Sequence, residues 1–421
     1  MNSFESLYHK AVKAAVENNL DETFDRESIK NYDKRHLDCL LHPEDESAVI
    51  RINDCRCDEE QKQKCKDNCA YDAMTVSNEG NIQISKEDCT GCAVCVAKCS
   101  GQNLTDRKDL IPIFDMLHNS DTPMYAMIAP AFIGQFSHKV TPGMLRSAFK
   151  QLGFTGMIEV SLFADILTLK EALEFDKSIL KDDDFLLTSC CCPLWIAMIR
   201  KIYHTYVPHV PPSVSPMVAC GRSIKQLYPG AKTVYIGPCI AKKAEAKEKD
   251  IADAVDFVLT FQEISDIFKV AEIDPEAMHE DSRDHSSTGG RIYARTGGVS
   301  EAVKSTLQMI RPDKKIPLTA KQANGVPQCK ELLNEIINGN ITANFLEGMG
   351  CVGGCVGGPK ILISKEEGTV NVNKYGQEAT YKTPADNPFV MEMLHSLGFD
   401  TIDSLLAHDT IFTRDFTKPK S

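Results

Sequence analysis

Eight cysteines fall within 45 positions, from Cys55 to Cys99. The whole chain holds seventeen in 421 residues. That is too sparse for a small disulfide scaffold, which runs above roughly 8% cysteine. Clustering of this kind points to metal or redox chemistry instead. Cys89, Cys92, Cys95 and Cys99 read C-x2-C-x2-C-x3-C. At that spacing three thiolates hold three corners of one cube of iron and sulfide, and in two-cluster proteins the fourth ligates the other cube. Zinc is the plain alternative, but zinc sites usually pair two C-x2-C knuckles.

The first half of the segment is less regular. Cys55, Cys57, Cys65 and Cys69 are spaced C-x-C-x7-C-x3-C. AYDAMTV follows Cys69, and NIQISKEDC leads into Cys89. These stretches resemble the short strand pair between the half-motifs of a ferredoxin. Exchanged fourth ligands put one 4Fe-4S cluster on Cys55, Cys57, Cys65 and Cys99, and the other on Cys89, Cys92, Cys95 and Cys69. One cluster with spare thiols is the competing reading. Two clusters in a row imply an electron path into whatever follows.

From about residue 106 the character changes. MYAMIAPAF, GMIEVSL, DFLLTSC, KTVYIGPC and DFVLTF are apolar runs of strand length. Helical patterns such as ADILTLKEALEFDKSIL and SPMVACGRSIKQLY lie between them. Strands alternating with helices predict α/β architecture with mainly parallel sheets flanked by helices. The division expected is a helical lead-in over 1–50, a small α+β ferredoxin-like domain over 51–105, and a two-lobed α/β domain over 106–421. SFESLYHKAVKAAVE has helical spacing, but its sequence suggests no function for the lead-in.

Lys plus Arg total 47 against 59 Asp plus Glu, a net charge of -12. An acidic chain repels phosphate backbones, so no nucleic-acid partner is expected. No apolar run has the length of a membrane span. The polar, acid-bearing start is unlike a signal peptide. Zinc signatures around histidine, a GxGxxG turn and a Walker loop are all missing from the sequence, which leaves nucleotide and flavin binding without support.

Three more cysteine motifs follow, TSCCCPLW (188–195), IGPCIAKKAEA (236–246) and EGMGCVGGCVGGP (347–359). The first two each follow a strand-like run, and carboxyl ends of strands are where sites form in open α/β sheets. The third is glycine-rich, so backbone can pass close to a bulky group. Four cysteines from three loops could bind one more cluster.

These motifs resemble the signatures of FeFe-hydrogenases, TSCCPxW, MPCxxKxxE and ExMxCxxGCxxGG. The resemblance runs from about 55 to 365, and IAPA (128–131) and TGGV (296–299) are similar to further landmarks. The departures CCCP, GPC and MGC with a terminal GGP resemble a divergent subgroup, often called group B. The resemblance implies an H-cluster, a 4Fe-4S cube joined through a cysteine sulfur to a diiron unit carrying CO, cyanide and azadithiolate. It implies reversible reduction of protons to H2. Matched residue by residue, Cys192, Cys239, Cys351 and Cys355 ligate, with Cys355 bridging cube and diiron unit. Cys191 is the relay thiol. Anchoring on TSC instead of the proline makes Cys190 the relay and Cys191 the ligand.

The same matching carries further roles. Glu171 and Glu174, three apart on one helix face, match the proton-path glutamates, against the plainer reading of a solvated acidic face. A serine of that path aligns with Pro211 and an arginine near its exit with Ser178, so the outer route is expected to differ. Lys242 matches the lysine that hydrogen-bonds a cyanide, with Glu245 supporting it. Lys243 is expected to be solvated. Met349 matches the methionine near the bridging CO, and Pro130, Ala131 and Pro238 line the cofactor. Gly237 replaces a methionine, opening space or altering packing beside the diiron unit. Cys39, Cys190, Cys220 and Cys329 are left as structural.

The implied partners are a soluble ferredoxin-like electron carrier and maturation proteins that supply the diiron unit, with the chain itself a monomer in the cytoplasm. The alternatives are a hydrogenase-like iron–sulfur assembly factor, relatives of which usually lose the relay cysteine and the lysine, and a low-turnover H2 or redox sensor.

Overall fold

The apolar runs become short strands that stop where the motifs begin. The computed structural model describes residues 3–25 and 29–417; the ends of the lead-in and of the last domain, 1–2 and 418–421, and residues 26–28 lie outside it. In chain order the strands are β1 (Val49–Arg51), β2 (Met74–Val76), β3 (Ile82–Ile84), β4 (Leu104–Asp106), β5 (Met124–Ile128), β6 (Gly156–Glu159), β7 (Leu186–Thr188), β8 (Lys232–Gly237), β9 (Phe257–Thr260), β10 (Ala320–Asn324) and β11 (Phe345–Met349). β6-β5-β8-β9 form one sheet and β10-β11-β7 a second. Every pairing in both is parallel. The molecule is thus α/β with two parallel sheets flanked by helices.

The cysteine-rich segment is separate in topology. β2 pairs with β3 and β1 with β4, both antiparallel. β1 begins at Val49, so the strand that closes this module starts inside the expected lead-in. The helix Phe4–Val16 packs on the helices Leu110–Asn119 and Phe261–Val270. Leu7, Ala11, Val12 and Ala15 are fully buried there. Its apolar stripe therefore completes the core of the four-stranded lobe, a role its own sequence does not reveal.

One helix decides the interior of the site. Ser161–Ser178 packs against Pro216–Leu227, Thr288–Ile292 and Gly298–Ile310. It is buried from Ser161 to Phe175, polar residues included. Glu171 and Glu174 lie within that span. The solvated-face reading of these carboxylates fails for that reason.

Lys243 also departs from expectation. It is fully buried and pairs with Glu263 at 3.0 Å and Asp106 at 3.8 Å. Lys108 and Lys360 reach the same Asp106 at 3.0 and 2.8 Å. Burial works against the charge, but the three lysines hold the Asp106 carboxyl well below the usual carboxylate range. Asp106 ends β4, Lys243 lies within the second cysteine motif, and Lys360 follows the third. The network therefore fastens the cysteine-rich module to both loops. Removing one partner of such a group leaves buried charge uncompensated, typically at a cost of 3–5 kcal/mol. Lys243→Ala is expected to destabilise by about that much, read as an earlier midpoint in urea unfolding. The pair replacement Lys243→Met with Glu263→Leu should lose far less.

Candidate metal centre

The four cysteines matched as ligands all follow carboxyl ends of parallel strands. β7 ends at Thr188 and leads into Cys190, Cys191 and Cys192; β8 ends at Gly237, before Pro238 and Cys239; β11 ends at Met349, before Cys351 and Cys355. β5 ends at Ile128, before Pro130 and Ala131. Of these last two, Ala131 is buried and Pro130 partly exposed. The sites of both sheets thus lie at strand ends, where open α/β folds bind ligands.

Local geometry makes each loop specific. Ser189 takes φ +69°, a left-handed backbone rare outside glycine. The turn closes with Cys192 N–H donating to the Ser189 carbonyl at 3.0 Å. Trp195 Nε1 donates to the Thr188 carbonyl at 2.7 Å. Cys192 then precedes the helix Pro193–Lys201, with proline at its first position. The glycines of the third motif have closer neighbours than a ligand. A Cβ on Gly354, at φ +83°, would lie 2.8 Å from Thr296 N and 2.9 Å from the Arg295 carbonyl carbon. Glu347 accepts from Gly297 N–H at 2.6 Å and Ser300 N–H at 2.8 Å. The TGGV turn is therefore stitched to the third motif by backbone contact and by the carboxylate that opens that motif.

The four thiols lie near enough to act on one another. The charges that act on Cys355 are Cys239, Cys192 and Lys242; those on Cys351 include Cys239, Cys192 and Cys355. Gly350 N–H points at the Cys192 sulfur at 3.3 Å. Burial pushes the Cys239 thiol up to about 11 and Cys355 up to about 12. All four nonetheless keep partly accessible surface, as side chains lining an internal cavity do. Thiols as deep as Cys239, Cys351 and Cys355, which burial keeps from ionising alone, fit a metal cluster, because a coordinated thiol is deprotonated outright. Among the described residues no three Cys, His, Asp or Glu side chains are gathered tightly enough for a single ion. Such spread suits the corners of a cube better than one tetrahedral zinc.

The cysteine-rich module shows two further sets. Cys65 feels the charges of Cys99, Cys57 and Cys55. Cys95 feels those of Cys92, Cys89 and Cys69. These neighbours follow the exchanged fourth-ligand arrangement. Cys92 also acts on Cys351. Tyr71, buried, donates to the Leu194 carbonyl at 3.1 Å and feels Cys92 and Cys192. The second set therefore abuts the four-cysteine cage, with Tyr71 between them.

Three of the matched polar residues, Lys242, Glu245 and Glu174, have defined hydrogen-bond partners. Lys242 Nζ donates to Glu245 at 2.6 Å; this carboxylate outweighs the burial that would discharge the ammonium. Glu174 accepts from Lys170 at 3.4 Å, and Lys170 also donates to the Leu405 carbonyl. Burial, then Glu347, pushes Glu171 up to about 8, and its Oε2 has no hydrogen-bond partner. Met349 is buried beside Cys191 and Cys192. Of the spare cysteines, Cys190 donates weakly to the Pro211 carbonyl at 3.7 Å. Cys39 and Cys220 are buried away from these sets, whereas Cys329 is buried near Cys192, its sulfur donating to the Met349 carbonyl at 3.5 Å. Ser178 ends its helix at the exposed surface.

Residues 122–359 match the family model described as iron only hydrogenase large subunit, C-terminal domain. The chain belongs to that family. Iron hydrogenase 1 of Clostridium pasteurianum is 28% identical over 299 residues, which is 61% of this chain and 52% of that protein. The cytosolic Fe-S cluster assembly factor NAR1 homolog of Schizosaccharomyces japonicus is 23% identical over 247 residues, 50% of this chain and 48% of that protein. The chain spans about half the length of these relatives. A solved FeFe-hydrogenase, whose structure concerns oxygen damage to the 2Fe subcluster of the H cluster, superposes with a TM-score of 0.59 at 22% identity. That match covers 71% of this chain and 97% of the other. The low identities fit a divergent member of the iron-only hydrogenase family.

Proposed function

We propose that this iron-only hydrogenase family member is itself an FeFe-hydrogenase that reduces protons to H2 reversibly. Cys192, Cys239, Cys351 and Cys355 hold the H-cluster, which when bound supplies the redox chemistry at iron. The observation that carries this reading is the company those cysteines keep. Cys191 and Lys242 act on the same cage, and a cluster that only passes electrons needs neither a spare thiol nor a buried ammonium.

Each side chain then has a task. Lys242, kept charged by Glu245, offers donors to an anionic ligand. Met349 closes the cavity with an apolar wall, and Pro130, Ala131 and Pro238 lie along its rim. Cys191 holds a proton beside the cage, and Glu171 takes or gives it on the far side, with Glu174 further out. Cys55, Cys57, Cys65 and Cys99 would hold one 4Fe-4S cluster and Cys69, Cys89, Cys92 and Cys95 a second, and these would supply redox carriers for electrons on the side of the cage where Tyr71 lies. The carrier is a soluble ferredoxin-like protein, and maturation proteins supply the diiron unit to a monomer in the cytoplasm. Among the described residues no helix is long and apolar enough to cross a membrane.

The assembly-factor relative favours a second reading, in which the cage holds an ordinary cube and no H2 is made. Infrared spectra of the matured protein separate the two. Cyanide and CO stretches with H2 evolution are expected. Protein that carries its cubes, about twelve irons in all, yet shows neither stretch after maturation belongs to the second reading.

A further inference from the structure

The methionine expected before Pro238 is replaced by Gly237, which on sequence grounds leaves a gap in the cage wall. The structure fills that gap from within the same strand. Tyr235 and Gly237 are two apart on β8, so their side-chain directions share a face of the sheet. A Cβ on Gly237 would lie 2.8 Å from Tyr235 Cε1, 3.0 Å from its phenol oxygen and 3.1 Å from Ala129 Cβ. The tyrosine ring therefore folds back over the glycine, and any larger residue at 237 would have to displace it.

The phenol faces the cage. After burial, the charges that act most on it are Cys355, Cys239, Glu245 and Cys191. Lys242 Nζ lies 6.0 Å from the ring centroid. A phenol is a neutral O–H donor at ordinary working pH, its pKa lying at about 10. Among the described residues it makes no hydrogen bond to a protein group, and the ring is only 5% exposed. A buried phenol normally finds an acceptor. The anionic contents of the cage lie on the side it faces.

We propose that Tyr235 is a positioning residue of the metal centre, donating a hydrogen bond to the anionic group that the four cysteines hold. This rests on the reading that Cys192, Cys239, Cys351 and Cys355 carry a cluster. The acceptor would be a sulfur of the cube or a cyanide of the diiron unit, both anionic. Gly237 and Tyr235 form one device, the glycine making room for a ring that brings a donor where a thioether could bring none.

Tyr235→Phe keeps the ring and removes an oxygen that no protein group uses, so folding and iron content should be unchanged. Two measurements are made on full-length protein. In protein purified without the diiron unit, the cage cube is titrated for its reduction potential. Loss of a donor to its sulfur is expected to make that potential more negative. In matured protein, the infrared bands are compared with those of the unsubstituted chain. A moved cyanide band places the acceptor on the diiron unit, and a moved potential alone places it on the cube. Either result supports the proposal. Potential and spectrum both superimposable on those of the unsubstituted chain would overturn it and leave Tyr235 as packing over Gly237. Should the unsubstituted protein show no cyanide or CO band at all, the hydrogenase reading fails separately, and the cube potential alone decides the role of Tyr235.

Discussion

Cys355→Ala protein is expected to make no H2 above background and to show no cyanide or CO stretch after maturation. The reason is chemical. Burial holds the Cys239, Cys351 and Cys355 thiols of the cage protonated, Cys239 up to about 11 and Cys355 up to about 12. Only a cationic centre shared among them makes thiolates there. Cys355 is the ligand matched to the bridge between cube and diiron unit, so its loss removes a corner of one and the attachment of the other. In protein lacking the diiron unit, iron should fall from about twelve to about eight per chain, four for each surviving cube. Cys220→Ala provides the control. Cys220 is fully buried in the helix Pro216–Leu227, and burial alone shifts its thiol; its removal should leave iron and turnover intact. A Cys355→Ala protein that evolves H2 at the full rate would falsify the assignment of this cage as the catalytic centre.

The cysteines were legible in the sequence because metal coordination forces both residue type and local spacing. C-x2-C-x2-C-x3-C has few other uses, and three separated motifs at strand ends leave little choice of architecture. Neighbours brought in by folding were not legible in this way. Lys243 reads as half of a solvated lysine pair because its partners, Asp106 and Glu263, are distant in sequence and come from other elements. β10 was not foreseen, since AKQAN has neither an apolar run nor a clean alternation; it forms because its parallel partner β11 holds it at the edge of a three-stranded sheet. The helix Phe4–Val16 showed its apolar stripe but not its destination. Tyr235 escaped notice because a tyrosine in a strand is ordinary, and only the missing Cβ two residues on turns it toward the metal centre. The glycines of the third motif were assigned to a bulky ligand, whereas Gly354 already answers to the backbone of Arg295 and Thr296.

Cys191→Ser is expected to lower H2 turnover by about 100 to 10,000-fold, the usual worth of a general acid–base step, with iron content unchanged. The structure favours this thiol over its neighbour. The charges acting on Cys191 come from both sides, from Cys355, Cys192 and Lys242 in the cage and from Glu171 beyond it. Those acting most on Cys190 are Glu171, Lys170 and Arg414, and its sulfur is turned to the Pro211 carbonyl. Cys191 thus has both the cage and the carboxylate among its neighbours, as a relay must. A serine keeps the size but holds its proton far more tightly than a thiol, the ordinary value for which is near 8.5. Glu171 adds a pH dependence of definite sign. Burial pushes its carboxyl up to about 8, so below that pH it carries a proton to give, and above it the proton is lost. H2 evolution should therefore fall as pH rises through about 8, and Glu171→Gln should remove that limb along with most of the turnover. The other register makes the opposite forecast, with Cys191→Ser losing the cube and Cys190→Ser losing turnover alone. Iron content and H2 evolution measured on both serine variants decide between them. If both keep full iron and full turnover, neither thiol carries the proton, and the path must start from another group at the cage wall.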